Sequence, residues 1–230
     1  MELFLGIDLG TTGLKSMLAD ETGNIIGSEY RSYPLNVPQI GYAEQNPDTW
    51  YQQMCSSIRD LLAKTEVQAS DIKCVGLSGQ MHGLVMLDEN NQVIRLSIIW
   101  CDQRTGKEAE ELNRKAGKQR LMEITANPAL TGWTAAKILW VKNNEPDNYS
   151  RCRHILLPKD YIRYILTGVF ATEVSDASGT QLLDVPNRCW SEEILEKLQI
   201  QPSLLPKVYE SYEVTGKISS EVSAVTGLST

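Results

Sequence analysis

The feature that most constrains this sequence is a short apolar run ending in a glycine-flanked tip. Leu3-Phe4-Leu5-Gly6-Ile7-Asp8-Leu9 is followed directly by Gly10-Thr11-Thr12-Gly13. Such a run, bounded by glycines, predicts a buried strand entering a tight turn. Residues 14–20 and 25–33 read as two further strands, with Glu21-Thr22-Gly23-Asn24 as the turn between them, so the chain is expected to open in an antiparallel meander. Small residues at a hairpin tip let backbone N–H groups and Thr hydroxyls approach a phosphate chain. Asp8, at the strand end, could hold Mg²⁺ through water, because magnesium dehydrates reluctantly. Lys15 could offer its charge to a terminal phosphate. The Gly-x-x-x-x-Gly-Lys-Ser/Thr spacing of a Walker-type loop is absent. The spacing alone serves equally well a glycine-rich turn whose Asp accepts turn N–H bonds.

Downstream, helical patterns take over. Asp48 is expected to cap a helix over Thr49–Thr65, where Trp50, Met54, Ile58, Leu61 and Leu62 recur at helical spacing. Residues 74–77 read as a strand, and 84–87 with 93–100 as a hairpin around Asp88-Glu89-Asn90-Asn91. Helices are expected over 108–122, over 135–141 up to the Asn143–Pro146 run, over 158–166 closed by Gly168, and over 191–198 capped by Ser191. One more helical pattern lies near the end. With no repeat, low-complexity segment or linker, the 230 residues read as one α/β domain, strands first and helices inserted later.

Composition removes some function classes. A net charge of −7 without a basic cluster argues against nucleic-acid binding. The five cysteines are far apart with no Cys-x-x-Cys pair, which disfavours a thiolate zinc site and suits a reducing cytosol. No signal-peptide pattern and no run of membrane-spanning length is present. The expectation is a cytoplasmic protein that works neither on a membrane nor on nucleic acid.

Two more constellations carry chemistry. Ser78-Gly79-Gln80-Met81-His82-Gly83 follows a strand, and loops at strand ends are where α/β proteins build sites. His82 could donate a hydrogen bond to a hydroxyl-rich ligand, and Asp102, Gln103 and Arg104 offer further polar groups for one. A core histidine and a helix-capping Asp account for the same residues without a ligand. Gly132–Asn144 reads as an amphipathic helix made for packing. His154, between Arg151 and Arg153, is expected at a surface or strand edge.

In combination these motifs are specific. Asp8-Leu9-Gly10-Thr11-Thr12-Gly13 resembles the first phosphate motif of the actin-like ATPase superfamily. Ser78–Gly83, Trp100-Cys101-Asp102-Gln103-Arg104-Thr105, the Thr134/Lys137/Trp140 spacing, Leu157–Tyr161 and Ser175–Thr180 look like the FGGY carbohydrate kinase family, nearest its xylulokinase branch. The resemblance runs from the first strand to at least Trp190. It implies an α/β, actin-like (ribonuclease H-like) fold, a mixed sheet with helices on its faces, and ATP-dependent phosphorylation of a primary hydroxyl of a sugar such as D-xylulose. By the same resemblance Gly10, Thr11, Thr12 and Lys15 contact nucleotide phosphates, Asp8 positions Mg²⁺, and Met81 and His82 touch the sugar. Asp102, Arg104 and Asn127 are assigned to the same pocket, and Lys137 and Trp140 receive no catalytic role. The family's catalytic Asp belongs to a Gly-Gly-x-Asp type motif. No Gly-Gly pair occurs here, so that residue is expected beyond Thr230, with a C-terminal nucleotide lobe as partner. Residues 1–230 are thus expected to form an N-terminal sugar-binding lobe, inactive alone and prone to pair as a homodimer through its uncovered face. The alternatives are an FGGY kinase for gluconate, ribulose, fuculose or glycerol, or a sugar-binding lobe without catalysis. A chaperone or cytoskeletal ATPase fits the sugar-pocket motifs poorly.

Overall fold

The computed structural model describes residues 2–230, beginning with the expected meander: β1 (Leu3–Leu9), β2 (Gly13–Asp20) and β3 (Ile25–Ser32). Then come β4 (Glu44–Gln45), α1 (Pro47–Thr65), β5 (Ile72–Gly79), β6 (Val85–Leu87) and β7 (Ser97–Ile98). The helical part holds α2 (Gly106–Ala116), α3 (Lys118–Thr125), α4 (Thr134–Asn144), α5 (Pro146–Arg151), β8 (His154–Leu156) and α6 (Pro158–Thr167). β9 (Ala171–Glu173), α7 (Val174–Ser178), β10 (Leu183–Asp184), β11 (Cys189–Trp190), α8 (Glu192–Leu198), β12 (Lys207–Tyr209) and α9 (Ser220–Thr226) complete the chain.

The main sheet has the order β3-β2-β1-β5. β1 pairs antiparallel with β2 and parallel with β5, so the sheet is mixed. Side chains alternate across it. Leu5, Ile7, Leu9, Leu14 and Leu18 point into the core, while Asp8 and Lys15 sit opposite each other on the exposed face. Against the buried face lies α1, which presents Trp50, Met54, Ile58 and Leu61, all fully buried. Burying each such side chain stabilises by about 1.5–3 kcal/mol.

A second core gathers around α2, α3, α4 and α8, with Leu112, Leu121, Ile138 and Leu195 at its centre. The ribbon β6–β8 divides the two cores. Val85, Leu87 and Leu156 face the sheet core, while Met86 and Ile155 face the helical one. A strand buried on both sides explains why all of β6 is apolar.

Two local expectations are corrected, and a third holds with a bulge. Asn46, not Asp48, caps α1: its side chain accepts from Asp48 N–H at 3.0 Å, and Pro47 takes the first helical position. Proline suits that position because its missing N–H would be unpaired there, and Asp48 falls in the first turn where the macrodipole favours a carboxylate. The helix expected over 108–122 is two helices. Gly117, at φ 82°, ends α2 by donating to Asn113 O and turns the chain into α3. The hairpin over 84–100 keeps its Asp88 turn and a bridge from Leu87 to Val93. Its second strand bulges out after Ile94, returns to the first through the Leu84–Ile98 bridge, and at Ser97–Ile98 also pairs with β4. Arg95 sits at that bulge, its guanidinium paired with Glu44 and Glu145 and lying 5.6 Å over Trp140. The expected ends of α6 at Gly168 and of α8 at Ser191 hold, as do the edge position and half-exposure of His154. Among the described residues no helix is long and apolar enough to cross a membrane.

Candidate functional site

β1 and β5 run parallel and side by side, with Leu9 opposite Gly79. The Gly10–Gly13 tip and the Gln80–Gly83 loop therefore leave the sheet at the same end. This is where open α/β sheets bind ligands, at the carboxyl ends of adjacent strands. Gln80 N–H donates to Leu9 O at 2.7 Å and ties the two exits together.

Around the tip, four strands contribute one row. Tyr30, Lys15, Asp8 and Ser78 are register partners across β3, β2, β1 and β5, and all four are exposed. Tyr33 donates its hydroxyl hydrogen to Gly10 O, and the Gln45 amide donates to Thr11 O at 2.7 Å. The Gln45 carbonyl oxygen accepts from Trp50 at 3.2 Å and from Gln80 at 2.9 Å. The tip is thus held from below by buried amides, leaving Thr12 and the Asp8–Lys15 pair facing solvent. One free carboxylate beside a phosphate-sized turn is a donor set that Mg²⁺ accepts, since the ion keeps several waters and takes few protein ligands. Asp8, Gly10, Thr11, Thr12 and Lys15 are therefore brought together.

In the second loop His82 stands at φ 61°, half-buried, its ring stacked on Trp133 at 4.3 Å between centroids. Nδ1 lies 2.8 Å from Gly179 O. A carbonyl only accepts, so Nδ1 carries the proton and Nε2 is left as an acceptor in the neutral ring. Burial, reinforced by the charge of Lys137, moves the imidazole below its ordinary pKa, and the bond to Gly179 offsets this in part. The neutral ring thus leaves Nε2 available as an acceptor, while Nδ1–H is used within the fold. The folded chain binds protons at His82 less readily than an unfolded histidine of pKa about 6.5. Stability should then fall as pH drops from that value toward the folded pKa. Thermal melts between pH 7 and 5 should show that slope, and His82→Ala should remove its share of it.

Met81 is 45% exposed beside His82, and Trp100 is 43% exposed. Trp100, just after β7, supports the tip by donating its indole N–H to Thr11 Oγ1 at 2.7 Å. Asp102 and Arg104 do not reach this surface: their side chains are 0% and 2% exposed. Asp102 accepts from Ala43 N–H at 2.7 Å and from Arg104 through both oxygens. Arg104 also pairs with Glu44 at 2.8 Å and stacks 3.8 Å over Tyr42 and 4.7 Å over Trp140. Asn127 is half-buried and commits both amide hydrogens, to Thr125 O at 2.7 Å and Ser178 O at 3.0 Å, which steadies the chain just before Gly179. Gln45 and Trp133 emerge only in three dimensions. No sequence signal marked Gln45, which lies in an irregular segment, or singled out Trp133 within its helix-start pattern.

A groove of about 670 Å³ lies elsewhere, along the free edge of β5. Lys159 there pairs with Asp160 at 3.0 Å and with Glu173 and Asp176 at 3.3 Å each. Met81 and His82 do not line it, so the two strand-end loops form a shallow face beside a separate groove.

Comparison with known proteins gives this arrangement a family. Residues 3–230 match the N-terminal domain of the FGGY family of carbohydrate kinases. The chain is 45% identical over 200 residues to the xylulose kinase of Lactococcus lactis, covering 87% of this chain and 40% of that protein. Against the xylulose kinase of Bacillus subtilis it is 42% identical over 204 residues, covering 89% and 41%. The crystal structure of a Brucella ovis protein described as a xyloylose kinase superposes with a TM-score of 0.92 at 39% identity, over 96% of this chain and 46% of that one. The chain thus spans about two-fifths of the length of the curated relatives it matches. With its mixed sheet, helices and actin-like ATPase architecture, this chain belongs to the FGGY family of carbohydrate kinases and corresponds to the family's N-terminal domain.

Proposed function

We propose that this chain forms the sugar- and phosphate-binding part of an ATP-dependent kinase that phosphorylates a primary hydroxyl of D-xylulose. The observation that carries this reading is the side-by-side exit of the Gly10–Gly13 tip and the Gln80–Gly83 loop from parallel strands, tied by the Gln80 N–H bond to Leu9 O and by Gln45, which meets both Thr11 and Gln80. Phosphoryl transfer to a hydroxyl needs donor and acceptor held in line more than it needs covalent help from the protein. Backbone N–H groups and hydroxyls of Gly10, Thr11 and Thr12 would hold the phosphate chain, and Lys15 would offset the charge of its terminal group. Asp8 would hold Mg²⁺ through water, and the ion would supply charge neutralisation on the phosphates. Met81 would lay its thioether on the carbon skeleton of the sugar while His82 Nε2 accepts from a hydroxyl. Asp102 and Arg104 would fix the rim from within rather than touch the sugar, and Asn127 would steady Gly179 beneath His82. The carboxylate that takes the hydroxyl proton is assigned to residues outside this chain, in a partner lobe. The relatives named xylulose kinase favour D-xylulose over gluconate, ribulose, fuculose or glycerol as acceptor.

The test is ATP-dependent phosphorylation by the full natural protein across that panel of sugars. D-Xylulose should give the highest kcat/KM, and the 230 residues alone should give no turnover. Asp8→Asn should lower kcat while leaving the KM for sugar little changed. Turnover of another sugar in preference to D-xylulose would replace the substrate and leave the family standing. No turnover of any would reject the proposal.

A further inference from the structure

Lys137 lies in the first turn of α4, and none of its side chain reaches solvent. Two effects make this an unfavourable place for an ammonium group. Burial strips the charge of water, and the first turn of a helix carries the positive end of the macrodipole, which repels a cation. An unbranched apolar residue would fill the same space without either cost. What the ammonium does there is bridge two loops. Nζ donates to His82 O at 2.6 Å and to Gly132 O. The first carbonyl belongs to the loop after β5, and the second immediately precedes Trp133 before α4. These loops carry the two stacked rings, His82 and Trp133. His82 also holds a left-handed backbone conformation, φ 61°, which a non-glycine residue keeps only where its surroundings impose it.

We infer that Lys137 is a positioning residue for sugar recognition, tying the carbonyls of His82 and Gly132 together and so fixing the imidazole–indole stack that presents Nε2 to the sugar. Burial lowers the pKa of the Lys137 amine to about 7, and the Asp102 carboxylate, held by Arg104, offsets this in part. The inference rests on the assignment of His82 as a sugar contact, and the experiment separates the two.

In the full natural protein, Lys137→Met is expected to stay folded by thermal melt and to bind D-xylulose about tenfold more weakly or worse. The His82 imidazole ¹⁵N resonances should move in the same variant before any sugar is added, which a change in stability alone would not produce. His82→Ala is run beside it. If that variant binds D-xylulose as the unsubstituted protein does, the sugar-contact assignment fails. If His82→Ala weakens binding and Lys137→Met leaves it unchanged, the inference about Lys137 is overturned. Should Lys137→Met fail to fold, the unsubstituted protein still decides. The ammonium ¹⁵N resonance of Lys137, shielded from exchange by burial, should shift when D-xylulose is added, and a resonance that stays put overturns the inference.

Discussion

Replacing Arg104 by alanine is expected to destabilise the fold by about 3–5 kcal/mol, the usual result of leaving one half of a buried ion pair behind. The guanidinium meets Asp102 and Glu44 at 2.8 Å each, and all three side chains are at most 10% exposed. Removing it strands Asp102 where water cannot replace the guanidinium, and leaves Glu44 to Arg95. It also removes the cation lying over the rings of Tyr42 and Trp140. For a chain of this length such a loss lowers the melting midpoint by roughly 10 °C. Lysine should not rescue it, because an ammonium can neither grip Asp102 with a fork of donors nor stack flat on the rings. Urea unfolding measures the loss directly. A change below about 1 kcal/mol would mean the network is more hydrated than its burial implies, and would return Arg104 to consideration as a direct ligand.

The second large effect falls on binding rather than folding. Gly179→Ala adds a methyl group whose carbon would lie 2.7 Å from Nδ1 of His82 and closer still to Cε1. The backbone at Gly179, φ −77°, admits alanine without strain, so the added atom acts on the imidazole and not on the local conformation. The ring must move by close to an ångström, losing its bond to Gly179 O and its register with Trp133. A displacement of that size at a substrate contact costs about 100-fold in kcat/KM, whereas accommodating one methyl group costs the fold about 1–3 kcal/mol. Gly106→Ala, where the added carbon meets nothing within 4 Å, is the control and should leave D-xylulose kinetics unchanged. Equal kinetics for the two variants would show that His82 is not held where the reaction needs it.

The parts of this site that were legible in the sequence are those fixed by neighbours in the chain. The apolar run from Leu3 to Leu9 and the small residues after it specify β1 and its turn, while the alternation that turns Asp8 outward shows only in the fold. The glycine after β5 and the Met81-His82 pair mark the second loop, and Pro158, Gly168 and Ser191 punctuate their helices as their chemistry requires. What stayed hidden depends on partners far along the chain. Asp102 looks like a ligand residue until Ala43, Glu44 and Arg104 are seen to enclose it. Gln45 has no local signal at all, yet it supports the phosphate tip through Thr11. Lys137 reads as one polar position on an amphipathic helix, and only the fold brings His82 O to its ammonium. The break at Gly117 was missed for another reason: an isolated glycine in a helical pattern is often tolerated, and only its φ of 82° decided against continuity.

The pairing of β1 with β2 has a consequence for how this protein can change over time. Asp8 faces Lys15 because seven register pairs, from Leu3–Asp20 to Leu9–Leu14, hold without interruption. Side chains on a strand alternate with a period of two, so a slip by one residue would send both charges into the core and bring leucines to the surface. An insertion or deletion within the paired residues of β1 or β2 would therefore break this alignment, however mild the residue involved. The far turn at Glu21–Asn24, exposed and bonded mainly to itself through Asp20, can lengthen or shorten without disturbing that alignment. One end of the hairpin is free to drift in length while the other is held to a fixed count of residues.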